Sequence, residues 1–106
     1  MTERVERLCH RDELAPGTAR RFDIADQGIC LVRIGDDFYA IGDRCSHANF
    51  SLSEGEVYPV EKQIECWKHG STFSLVDGEP QSLPATRAVP VYDLRVEGDD
   101  VSVVIH

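Results

Sequence analysis

The chain has 106 residues, a formal net charge of −8 at pH 7 and a 42% share of hydrophobic residues. That length suits one small domain and leaves no room for a separate catalytic unit. A pI near 4.8 disfavours nucleic acid and anionic membrane surfaces as partners and favours proteins with basic faces.

The opening stretch MTERVERLCHRDEL alternates charged and apolar residues and lacks the apolar core of a secretory signal. No apolar run reaches membrane-spanning length, so the expected location is the cytoplasm, where disulfides are uncommon. RDEL, from Arg11, predicts a single helical turn. ICLVRI (29–34) and FYAI (38–41) predict two strands of a hairpin closed by Gly35-Asp36-Asp37. GEVYPV, KQIECW and STFSLV, between residues 55 and 76, read as short strands, with Asp77-Gly78 as a turn. VYDLRVE (91–97) alternates, placing Tyr92, Leu94 and Val96 on one face and Asp93, Arg95 and Glu97 on the other. Gly98-Asp99-Asp100 then turns the chain into VSVVI (101–105), a second hairpin built like the first. No segment predicts a long helix, and there is no repeat, low-complexity tract or linker. The expectation is one all-β domain spanning 1–106.

Four cysteines and four histidines are distributed unevenly over this pattern. Cys9 and Cys30 fall in apolar, strand-like segments and read as small core residues. Cys45 and Cys66 each stand at a strand end beside a histidine, in RCSHANF (44–50) and CWKHGS (66–71). Eighteen residues (48–65) separate His47 from Cys66. Both Cys-His pairs lie in loops, and two loops meeting at one tip of a sheet can bring four side chains to one centre. Disulfide pairing is one reading of the cysteines. Zinc is another, although zinc sites usually join a Cys pair to a His pair, whereas here each half is mixed. Mixed halves suit a centre with two distinct metal positions. Cys45 and Cys66 would hold one iron and His47 and His69 a second, the ligation of a [2Fe–2S] cluster in which two histidines replace two cysteines.

The signature Cys45-Ser46-His47, the gap, and Cys66-Trp67-Lys68-His69-Gly70 resemble the Rieske iron–sulfur family. The similarity continues through NFSLSEGEV, STFSLVDGEP and LPATRAVPVYDLRVEGDDVSV and so covers most of the chain. Within the family it is similar to the ferredoxin components of ring-hydroxylating dioxygenase systems. The resemblance implies stacked antiparallel sheets with a small cluster-binding subdomain at one tip, its loops within about residues 43–86. It implies one Rieske [2Fe–2S] cluster, with Cys45 and Cys66 on the inner iron and His47 and His69 on the outer one. The implied role is that of a one-electron carrier and not an enzyme. Its electrons would come from a flavin-dependent ferredoxin reductase and pass to a terminal oxygenase, and the carrier itself is expected to be a monomer.

Two departures bear on the reduction potential that the resemblance implies. High-potential members carry a disulfide between the two loops, where this chain has Phe50 and Lys68. They also carry a Tyr that donates to a ligand sulfur, where this chain has Phe73. Ser71 remains as a hydroxyl donor for a bridging sulfide. With fewer donors the expected potential falls at the low end of the Rieske range of about −150 to +300 mV. Gly70 reads as a turn glycine or as a close backbone approach to the cluster, and Pro84 as a cover over it. Trp67 reads either as a contact or shielding residue or as a core tryptophan, and His10 and His106 as surface residues. Three other functions stay open: a ferredoxin serving iron–sulfur cluster assembly or another redox enzyme, a zinc-stabilised interaction module, and a non-redox subunit on the same scaffold. The last ranks lowest because all four ligand residues are present.

Overall fold

A computed structural model describes residues 4–24, 26–45, 50–67, 70–83 and 85–105. The described residues form nine strands: β1 (Arg4–His10), β2 (Thr18–Ile24), β3 (Gln27–Ile34), β4 (Asp37–Gly42), β5 (Val57–Tyr58), β6 (Gln63–Glu65), β7 (Thr72–Ser74), β8 (Val91–Glu97) and β9 (Asp100–Ile105). Among the described residues the helical elements are two single 3₁₀ turns, Arg11–Glu13 and Leu52–Glu54. RDEL is therefore a helical turn, but a 3₁₀ one. His10 caps it by accepting from the Asp12 N–H, while the Glu13 carboxylate accepts from the His10 N–H.

Six strands form an antiparallel sheet in the order β1-β9-β8-β4-β3-β2, and three form a smaller one in the order β5-β6-β7. Both anticipated hairpins are present: β3 pairs with β4 from Ile29↔Gly42 to Ile34↔Asp37, and β8 with β9 from Asp93↔Val104 to Glu97↔Asp100. The large sheet is nearly split at its middle, because β4 and β8 pair only at Ala40↔Tyr92 and Ile41↔Val91. That narrow seam lets its two halves turn toward each other over a shared core. Strand β2 carries no clear signal in the sequence. TARRFDI has two adjacent arginines and lies at the sheet edge, where outward polar residues are tolerated.

Residues 29–32 of β3 are fully buried on both faces. With period two, Ile29 and Leu31 point to one side, where they meet Cys9, Leu14, Ala40, Val101 and Val103. Cys30 and Val32 point to the other, where they meet Ile41, Leu52, Ile64, Phe73, Leu75 and Val89. The first core fills the large sheet. The second joins that sheet to the three-stranded subdomain. Val96, expected on the inner face of β8, is instead 44% exposed, because it sits beside the hairpin tip where the core has ended.

Two glycines fasten the subdomain by close backbone approach. A Cβ at Gly78, whose φ is +74°, would sit 2.1 Å from the Val89 carbonyl oxygen. The Val89 N–H meanwhile donates to the Gly78 carbonyl at 2.9 Å. A Cβ at Gly55 would lie 1.6 Å from the carbonyl oxygen of Glu65, the residue before Cys66. Gly55→Ala is expected to cost about 2–3 kcal/mol in chemical denaturation, because backbone must move to admit the methyl. Gly35→Ala, at φ +61° with open space around it, should cost only about 1 kcal/mol.

Candidate metal centre

The first loop leaves the end of β4 and is closed by a short antiparallel ladder. The Cys45 N–H donates to the Phe50 carbonyl at 2.9 Å, Arg44 bridges Ser51, and the Leu52 N–H donates to the Asp43 carbonyl at 2.6 Å. The second loop begins one residue after β6. There the Cys66 N–H donates to the Ser71 carbonyl at 2.7 Å and the Gly70 N–H to the Cys66 carbonyl at 2.9 Å. Gly70 has φ +76° and a Cβ there would meet only Glu65 Oε2, at an ordinary contact distance of 3.8 Å, so its demand is conformational and it acts as the turn glycine of this loop.

Cys45 and Cys66 are buried, at 3% and 0% exposure, and fall in the same cluster as Leu52, Ile64, Phe73 and Ala85. The fold therefore brings both candidate thiolate ligands into one sheltered place. His47 and His69 lie outside the described residues, as do Ser46, Lys68, Pro84 and His106. No disulfide joins any of the four cysteines in this structure. Burial pushes the Cys9 and Cys30 thiols up, the latter far, so both stay protonated as core residues.

A third loop, after Pro80, closes over the second. The Gln81 N–H donates to the Thr72 carbonyl (2.7 Å), the Thr72 N–H to Ser82 Oγ (3.0 Å), and the Ala85 N–H to Ser71 Oγ (3.1 Å). Ser71 is fully buried. It spends an acceptor position on Ala85 and keeps its own hydroxyl hydrogen to donate. Phe73, in the place expected to lack a donor, is a fully buried core ring.

Trp67 is 51% exposed, which removes the core reading of this residue. Its ring meets Phe50 edge-on, with centroids 4.9 Å apart and planes at 80°, so an aromatic contact ties the first loop to the second. Leu83 is 77% exposed on the third loop, next to Ser82. On the flank, hydrogen bonding to Glu56, with the Glu65 charge beside it, pushes the Tyr58 hydroxyl up to about 12.

The Rieske [2Fe-2S] domain family matches residues 4–93. The ferredoxin component of biphenyl 2,3-dioxygenase from Rhodococcus jostii (strain RHA1) is 36% identical over 99 residues, covering 93% of this chain and 91% of that protein. The solved ferredoxin of carbazole 1,9a-dioxygenase from Nocardioides aromaticivorans IC177 superposes with a TM-score of 0.91 at 35% identity, covering 93% of this chain and 95% of that one. A solved complex of reduced oxygenase and oxidized ferredoxin in carbazole 1,9a-dioxygenase matches at a TM-score of 0.87 and 35% identity, over 93% of this chain and 91% of that one. The chain belongs to the Rieske [2Fe–2S] domain family. Within that family it is of the ferredoxin type, a one-electron carrier with one Rieske [2Fe–2S] cluster, and not a catalytic oxygenase subunit.

Ser71→Ala would strand the buried Ala85 N–H. The expected cost is about 1–3 kcal/mol in denaturation, with faster amide exchange at Ala85 as the local signature.

Proposed function

We propose that this ferredoxin, working as a single domain over 1–106 in the cytoplasm, takes electrons from a flavin-dependent reductase and hands them to a terminal ring-hydroxylating oxygenase. The observation that carries the reading is the convergence of Cys45 and Cys66 in one buried cluster at the base of two closed loops, each with a histidine in its sequence. Cys45 and Cys66 would hold the inner iron, and His47 and His69 the outer one. When bound, the cluster supplies a one-electron couple.

The protein's own residues do the rest. Leu52, Ile64, Phe73 and Ala85 keep water from the thiolates, and the ladders at 43–45 and 66–71 hold both sulfurs before the metal arrives. A site preorganised in this way changes little on reduction. Ser71 Oγ accepts from the Ala85 N–H and keeps a hydroxyl hydrogen that would be available to a bridging sulfide, which would favour the reduced state; Ser71→Ala is therefore expected to lower the midpoint potential as well as stability. The partner assignment is supported by the oxygenase–ferredoxin complex of a relative and by the apolar surface that Trp67 and Leu83 present beside the loops. The net charge of −8 suits steering toward a basic face.

Visible absorption and low-temperature EPR of anaerobically purified protein test the ligand set. The reduced form should give a rhombic signal of low average g, and Cys45→Ser, Cys66→Ser, His47→Ala and His69→Ala should each abolish it. A colourless protein holding one zinc would sink the assignment. Trp67→Ala should leave the spectrum intact and slow electron delivery to the oxygenase by about tenfold, the scale expected when one aromatic anchor is taken from a small interface. Equal rates for both proteins in stopped-flow reduction would remove Trp67 from the docking surface.

A further inference from the structure

Among the described residues two polar side chains are buried, Asp43 and Ser71, and each lies under a ligand loop. Ser71 braces the second and third loops. Asp43, with its side chain 3% exposed, braces the first, and both of its side-chain oxygens accept hydrogen bonds in a place where acidic residues are seldom found. We propose that Asp43 is a positioning residue of the centre: its carboxylate locks the two arms of the first ligand loop together and its fixed negative charge holds the reduction potential down.

The locking follows from the hydrogen bonds. Asp43 lies on the outgoing arm, and its Oδ2 accepts from the Ser51 hydroxyl on the returning arm. Its Oδ1 accepts from the Ser53 N–H at 2.9 Å, within the 3₁₀ segment Leu52–Glu54. The Ser51 and Ser53 hydroxyls are themselves 2.7 Å apart. The Asp43 backbone joins the same knot, its N–H donating to the Gly28 carbonyl (3.0 Å) and its carbonyl accepting from the Leu52 N–H. A single residue thus ties β3, the departing arm and the returning arm together, two positions before Cys45.

The electrostatic effect is strengthened by burial. A carboxylate in a low-dielectric interior acts on neighbouring charge far more strongly than the exposed acids that dominate this surface, which salt and water screen. Among the described residues the cation at ion-pair distance is Arg21 of β2, with Nε 3.6 Å from Asp43 Oδ2; that side chain is 53% exposed and also engages Asp23 at 3.0 Å. Compensation is therefore partial, and the remaining negative charge opposes entry of an electron. The approach of Arg21 runs past Gly28, where an added Cβ would already touch both Asp43 Cβ (3.5 Å) and Arg21 Nε (3.6 Å).

This inference rests on Cys45 being a ligand, and the variants separate the two claims. Asp43→Asn keeps an oxygen for the Ser53 N–H while removing the charge, so the midpoint potential, read by EPR-monitored titration, should rise. Ser51→Ala keeps the charge and opens the clamp: amide exchange over 44–52 should quicken, the cluster should be lost about tenfold faster, and the potential should not rise. Arg21→Gln, which leaves both arms of the loop intact, should lower the potential and decides the charge claim if Asp43→Asn does not fold. An unshifted potential in the charge variants, or unchanged exchange and cluster lifetime in Ser51→Ala, overturns the proposal while Cys45→Ser still destroys the Rieske signal. A Rieske signal that survives in Cys45→Ser overturns the ligand reading, and the role of Asp43 with it.

Discussion

The structure depends on one strand buried on both faces. β3 sends Ile29 and Leu31 into the core of the large sheet and Cys30 and Val32 into the core beneath the small one. A strand so placed cannot slip in register, since a one-residue shift would exchange its two faces and misplace four fully buried side chains at once. Its hairpin partner β4 is fixed with it, and the end of β4 is where the loop carrying Cys45 begins. The Gly42 N–H donates to the Pro90 carbonyl at 2.8 Å, so the same point is also tied to the chain entering β8. Rigidity at the site is inherited from the core of the large sheet.

The second loop is placed by a different route. β6 and β7 are only three residues each, too short to be stable as an isolated sheet. Their register is held by Ile64 and Phe73, which pair across the strands and are both fully buried against the β3–β4 hairpin. Gly55 lets the returning arm of the first loop pack directly on the Glu65 carbonyl, so the two loops share a backbone contact next to Cys66. Phe50 and Trp67 add a side-chain contact nearer the surface. The two Cys-His motifs are thus coupled at two depths, and the distance between them is set by packing rather than by the residues that separate them in sequence.

Among the described residues, buried polar side chains are few and are placed where the loops need closing. Ser71 and Asp43 use hydrogen bonds where an apolar side chain could only fill space, because a hydrogen bond fixes direction as well as proximity. Burying a carboxylate is costly unless it is well partnered. Asp43 meets that condition with a hydroxyl, a backbone N–H and a nearby guanidinium. The exposed acids elsewhere carry no such constraint.

Much of this protein was determined by the sequence alone. Period-two alternation and Gly-Asp turns place the two hairpins, since both are local properties of a few consecutive residues. The spacing of Cys45, His47, Cys66 and His69 points to the chemistry, since mixed Cys-His halves suit a centre with two distinct metal positions. Only the tertiary structure decided the rest. The edge strand β2 has no alternation strong enough to be seen, because its polar side chains face water. Trp67 looks equally suited to a core or a surface until the loops are packed. The burial of Asp43 is invisible in GDRCSH, where an acid is expected to be solvated, because it depends on Ser51 and Ser53 returning along the loop and on Arg21 arriving from β2. Local patterns are set by neighbours in sequence; burial and partnership are set by neighbours in space.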